Sequence, residues 1–114
     1  MNGIDQLTLK AQDRSAITEA VAILRSRFAA ESVTLFGSKA NGTDDAESDI
    51  DLLVLTTREL GWRERTQLTE ALFEISLAHG VIISPLIVPA AEWKEGRISV
   101  LPIHDVIARS GVPL

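Results

Sequence analysis

At 114 residues, with 46% apolar and 24% charged side chains, the chain fits one compact globular domain over residues 1–114 and is too short for a second independent core. Its 11 basic against 16 acidic residues give a formal charge of -5, so no overall positive field gathers a phosphate backbone, and long nucleic acid is a poor match as partner. The absence of cysteine excludes a disulfide scaffold, a thiolate zinc site and a cysteine nucleophile together.

The opening MNGIDQLTLK lacks the basic-then-apolar order of a signal peptide, and no stretch approaches the roughly 18 to 20 apolar residues that cross a bilayer. The expectation is a cytoplasmic protein with no membrane partner. Between Asp13 and Ala30, Ile17, Val21, Leu24 and Phe28 recur at steps of four, three and four, which sets them on one face of a helix that Asp13 or Ser15 could cap. Val33-Thr34-Leu35-Phe36 reads as a strand broken by Gly37. The polar stretch SKANGTDDAES over residues 38–48 then gives way to the apolar IDLLVL of residues 50–55, a loop followed by a buried strand. From Trp62 to His79, Leu68, Ala71, Leu72, Ile75 and Ala78 keep helical spacing, and Gly80 is placed to stop that helix.

Residues 81–88, VIISPLIV, predict a third strand, and Pro85, which cannot donate to a ladder, assigns it to a sheet edge or a bulge. A short helical piece over 90–96 follows. The tail predicts a helix from about Pro102 to Gly111 with Leu101, Val106 and Ile107 on one face, a face open either to core burial or to docking of a partner or second copy. The order implies an α/β (α+β) domain: a small sheet of three or four strands, flanked by helices. Phe28, Phe36, Phe73, Trp62 and Trp93 are the five aromatic residues, too few for the stacking platforms of single-strand binders.

Chemistry concentrates at Asp49 and Asp51. Side chains two apart in a strand point the same way, so both carboxylates project from one face at the opening of a hydrophobic element. Their repulsion calls for a retained proton or a divalent cation, and aspartate oxygens suit magnesium, which bridges to substrate phosphates. Two solvated acids in a turn are the plainer alternative. The context favours the cation: upstream, Gly37 and Ser38 offer backbone donors and a hydroxyl to a triphosphate, with Lys39 as a mobile counter-charge, and Gly42 lets the loop turn back.

The run FGSKANG, ten residues between Ser38 and Asp49, and then SDIDLLV closely resembles the signature of the minimal nucleotidyltransferases, the smallest members of the DNA polymerase β-like superfamily. The resemblance implies a nucleotidyltransferase-like mixed sheet, nucleotide phosphates bound at Gly37 and Ser38, and divalent metal held by Asp49 and Asp51 as catalytic residues. It further implies transfer of a nucleoside monophosphate, AMP from ATP, to a hydroxyl of a partner protein, with Mg2+ as cofactor. The partner implied is a helical HEPN-type toxin, for which this chain would be the antitoxin.

The chain departs from the family pattern at Lys39 and Asn41, where arginine is frequent, and on VIISPLIV, where active relatives carry a third carboxylate and this chain has Ser84 and Pro85. Asp44, Asp45, Glu47 and Glu92 are the substitute acids on offer, though each is better read as a surface acid. His79 beside a helix end has a structural reading, and no role is assigned to His104. Trp62 and Trp93 are core residues or interface anchors. The missing acid sustains an alternative: a catalytically impaired module that binds nucleotide or partner and regulates a helical protein by complex formation. A small-molecule-modifying transferase would need a further domain.

Overall fold

The computed structural model describes residues 9–41 and 49–114. Helix α1 (Ala11–Arg27) forms because Ala16, Ile17, Ala20 and Leu24 fall on one stripe, and all four are buried. Its start differs from expectation: the N-cap is Lys10, with no side-chain cap bond, and Asp13 is drawn into the interior instead. The helix closes at Phe28, whose N–H donates to Leu24 O at 3.1 Å, and Ala29 at φ 55° turns the chain into strand β1 (Ala30–Phe36).

After the bend at Gly37 comes the single turn α2 (Ser38–Asn41) and then strand β2 (Ile50–Thr56). β1 and β2 pair antiparallel, with Val33 opposite Val54 and Phe36 opposite Asp51. Helix α3 (Trp62–His79) carries the chain back so that strand β3 (Ile83–Pro89) runs parallel to β2. Gly80 ends α3 in the left-handed region at φ 66°, the stop expected of it. A short helix α4 (Ala90–Lys94), a 3₁₀ turn (Arg97–Val100) and helix α5 (Pro102–Ser110) follow. The two-residue strand β4 (Val112–Pro113), which sequence pattern did not foresee, adds to β1 and completes a mixed sheet in the order β3-β2-β1-β4. Pro85 sits on an edge strand, as its missing N–H requires.

β2 is covered on both faces, which is why its sequence is an unbroken apolar run rather than an alternation. Ile50, Leu52 and Val54 pack with α1 and α3, among Ile17, Leu24, Leu68 and Leu72. Leu53 and Leu55 face the other way, onto Val88, Trp93 and Ile107. The tail helix corrects the face expected of it: Ile107 is buried, whereas Leu101 and Val106 are exposed. Trp93 is core, stacked on His104 with ring centroids 4.4 Å apart, while Trp62 is exposed. No described helix is long and apolar enough to cross a membrane.

Candidate active site

The parity of β2 decides where the acids stand. Asp51 shares its side of the sheet with Leu53 and Leu55, at the strand end where the second apolar cluster stops, and Asp49 lies two residues upstream on the same parity. Asp51 is half-buried and Asp49 exposed. Burial pushes the Asp51 carboxyl up from its ordinary value, and the neighbouring charge of Asp49 pushes it further in the same direction. The structure thus brings the two predicted carboxylates into electrostatic contact.

Gly37 faces Asp51. The register that sets Phe36 opposite Asp51 carries the next residue over the carboxyl, and the backbone takes φ 77° to turn into α2. A Cβ added at Gly37 would run into Asp51 Oδ2 and stand 3.3 Å from its Cγ. Glycine is therefore needed twice here, for the dihedral and for the close approach. The bend is closed by the Ala40 N–H donating to Gly37 O at 3.1 Å, which leaves Ser38 at the start of the turn, half-buried.

Lys39 departs from expectation. It is not a mobile counter-charge: its ammonium is buried, donating to Asp13 Oδ2 at 2.9 Å. The pair ties α2 to the first turn of α1, so Lys39 fixes the bend from behind. Sequence reading missed Asp13 as its partner because the two are 26 positions apart with no spacing signal between them. A buried lysine needs such a partner, since an isolated buried charge is very costly.

Ser84 was read only as the residue standing where an acid is missing; the structure gives it a contact. It lies in register with Asp51 on the adjacent strand β3, and its Oγ donates to Asp49 Oδ2 at 3.0 Å. A hydroxyl in this place orients Asp49 without adding negative charge. Among the other acids, Glu92 is exposed on α4, while Asp44, Asp45 and Glu47 lie outside the described residues, as does Gly42. His79 bonds Glu19 through Nε2 at 2.7 Å, and His104 is taken up by Trp93, which gives both structural places.

The donor set fits a hard divalent cation. Two carboxylates share one side of a strand end, one of them perturbed by the other's charge, and carboxylate oxygens are the ligands such ions take. Among the described residues no group of three or more His, Asp or Glu converges as a closed cage. A two-carboxylate platform leaves positions for waters and for phosphate oxygens, which is how magnesium is held in phosphoryl-transfer sites.

The polymerase beta nucleotidyltransferase family model matches residues 18–86, a stretch that takes in most of α1 and all of β1, β2, α3, Gly37, Ser38 and Ser84. A protein of Methanocaldococcus jannaschii named "putative protein adenylyltransferase" is 38% identical over 55 residues, covering 48% of this chain and 56% of that protein. The match thus reaches across little more than half of that relative. Among solved structures, one described as a "putative minimal nucleotidyltransferase" superposes with a TM-score of 0.63 at 26% identity, covering 94% of this chain and 98% of the other. A toxin-antitoxin solved with AMP-PNP gives 0.60 at 19% identity over 91% of this chain and 72% of its own. A "putative nucleotidyltransferase" from Sulfolobus solfataricus gives 0.53 at 21% identity, covering 93% and 87%. The last two likenesses are of fold. With Gly37, the paired acids and strands β1 and β2 inside the matched stretch, the chain belongs to the polymerase β nucleotidyltransferase family.

Proposed function

We propose that the chain transfers a nucleoside monophosphate, AMP from ATP, to a hydroxyl of a partner protein in the cytoplasm, as the antitoxin of a helical HEPN-type toxin. The observation that carries this reading is the packing of the Gly37 bend against Asp51, with Asp49 alongside. The relative named as an adenylyltransferase supports AMP as the group moved, and the toxin-antitoxin bound to AMP-PNP supports the setting.

In this reading the Gly37–Ser38 bend receives the triphosphate through backbone N–H groups and the Ser38 hydroxyl. Asp49 and Asp51 hold the divalent cation, Mg2+ by the hardness of their oxygens, and the ion supplies charge neutralisation on the phosphate oxygens when bound. The acceptor hydroxyl attacks the α-phosphorus and gives its proton to solvent, a new O–P bond forms as the bond from the α-phosphorus to the oxygen it shares with the β-phosphate breaks, and pyrophosphate leaves with that oxygen. Asp51, half-buried and pressed on by Gly37, is held in one place for this work, and Ser84 keeps Asp49 beside it.

Ser84 also favours a second reading, a module that binds nucleotide and partner and regulates by complex formation, because in register with Asp51 it brings a hydroxyl and no third carboxylate. One experiment separates the two. The purified chain is incubated with labelled ATP, MgCl2 and a HEPN-type protein encoded beside it. Label on the partner with wild type, lost with Asp49→Ala or Asp51→Ala, supports transfer. A tight complex that survives both substitutions, with no label transferred, overturns it in favour of the binding module.

A further inference from the structure

Carboxylate oxygens suit calcium as well as magnesium, so two acids by themselves do not choose between the ions. The choice lies in how each acid presents its oxygens. Calcium gathers many ligands in flexible geometry and often takes both oxygens of one carboxylate. Magnesium demands a near-ideal octahedron at shorter distance, and the bite of a carboxylate is too narrow to fill two adjacent corners of it. A partner that occupies one oxygen of the acid therefore bears on which ion is held.

Asp49 has such a partner. The Ser84 hydroxyl donates to its Oδ2 at 3.0 Å, and that hydroxyl stands on a fixed mount. Ser84 is in register with Asp51 across the parallel β2–β3 ladder, and just before it the Ile50 N–H donates to Ile82 O at 2.8 Å. On one side of Ser84, the Ile83 N–H donates to Ser76 Oγ at 3.2 Å, and the buried Ser76 hydroxyl donates in turn to Leu72 O at 2.8 Å. On the other side, Pro85 restricts the residue before it to extended backbone. The start of β3 is thus pinned to α3, and the hydroxyl is carried to Asp49 by a strand with little freedom to move. Hydrogen-bond partners behind the ligands of an ion orient those ligands and tune what they hold.

We infer that Ser84 is a positioning residue that sets the cation preference of the site: by holding Asp49 Oδ2 it leaves Asp49 one oxygen for the ion, which favours magnesium over calcium. The inference rests on the proposed cation site at Asp49 and Asp51. Without the hydroxyl, Asp49 loses the orientation that a magnesium octahedron needs. Its Oδ2 is then released to join the other oxygen in gripping the larger ion.

Calorimetric titration of the full chain with MgCl2 and, separately, with CaCl2 at fixed ionic strength tests this. Ser84→Ala should lower the ratio of magnesium to calcium affinity about tenfold, the low end of what loss of such a partner costs. Ser84→Thr, which keeps the hydroxyl, should hold the ratio within about twofold of wild type. Both variants should give the wild-type circular dichroism spectrum, and Asp51→Asn should abolish saturable binding of either ion. If wild type binds neither ion, or if Asp51→Asn binds both as wild type does, the cation site and this inference fall together. If the ions bind and Asp51→Asn abolishes that binding, the inference alone is overturned by a Ser84→Ala ratio that stays where it was or rises. It is equally overturned by a Ser84→Thr ratio that falls as far as that of Ser84→Ala, because the effect then does not belong to the hydroxyl.

Discussion

Replacing Gly37 by alanine tests the geometry on which the site depends. An alanine at φ 77° carries the left-handed penalty of about 1–2 kcal/mol. Its Cβ also collides with Asp51 Oδ2, so the carboxyl must leave its rotamer, at a further cost of about 0.5–1.5 kcal/mol. The sum is about 1.5–3.5 kcal/mol. Gly80 supplies the control: it has nearly the same dihedral, φ 66°, with nothing within 4 Å of an added Cβ, so Gly80→Ala should lose only the first contribution. At about 4–5 °C per kcal/mol for a domain of this size, Gly37→Ala should melt about 10 °C below wild type and Gly80→Ala about 5 °C below. Calorimetric titration with ATP in MgCl2 completes the assay. Gly37→Ala should lose nucleotide affinity because Asp51 is displaced, and Gly80→Ala should keep it. Equal melting temperatures and equal affinities for the two variants would show that Gly37 does not press on the carboxyl, and the reasoning would fail.

The other outcomes concern charge. Asp51 titrates above its ordinary value, first through burial and then through Asp49, so the stability linked to its proton is full below about pH 3.8 and is lost as pH rises through the raised value; Asp51→Asn should therefore raise the melting temperature at pH 7 while abolishing stabilisation by MgCl2 plus ATP. Asp13→Ala should cost about 1–3 kcal/mol in urea unfolding, because it removes a carboxylate hydrogen-bonded to the buried Lys39 ammonium, and Asp13→Leu combined with Lys39→Met should recover most of that loss. Exposed Glu64 is held at about 2 by its hydrogen bonds from Arg58, so its small contribution is present above about pH 4.5 and is lost as pH falls toward 2; Glu64→Gln should remove that acid-side dependence, as should high salt. Ser84→Asp should tighten divalent-cation binding by adding a third carboxylate in register with Asp51, at the expense of stability in the cation-free protein; unchanged cation affinity by calorimetry would place residue 84 outside the site.

What could be read from the sequence divides along a physical line. β2 was legible because a run of apolar residues after a polar loop has few other homes, and the side-sharing of Asp49 and Asp51 followed from the two-residue period of a strand. The end of α3 was legible because glycine at that position removes the penalty of the left-handed turn. Contacts between distant segments were not legible. Nothing near Lys39 announces Asp13, and nothing in Val112-Pro113 distinguishes a two-residue strand from a loose tail until β1 is there to receive it. Trp62 and Trp93 look alike in sequence, each at or near the start of a helical piece. They part only because α4 lays Trp93 against the sheet while α3 turns Trp62 outward.

The correction at Lys39 changes the chemistry expected of the site. FGSKAN contains one cationic residue, and its ammonium is committed to Asp13 behind the bend. Among the described side chains the bend offers the Ser38 hydroxyl beside its peptide N–H groups to a triphosphate, while Asp49 and Asp51 present negative charge to it. A triphosphate meeting that arrangement alone is repelled, whereas one arriving with a divalent cation turns the same two carboxylates into attraction. Nucleotide affinity should therefore depend on the cation far more steeply than in a site carrying an arginine at the bend. Chelation with EDTA should weaken ATP binding by at least about tenfold, roughly 1.4 kcal/mol, in equilibrium dialysis. Lys39→Met, provided it is paired with Asp13→Leu to keep the fold, should leave the cation-supported affinity within about twofold, since the ammonium and the carboxylate 2.9 Å from it leave together and their charges largely cancel at the phosphates. A loss as large as that caused by EDTA would mean that Lys39 swings out to the nucleotide, and the division of labour drawn from its burial would have to be reversed.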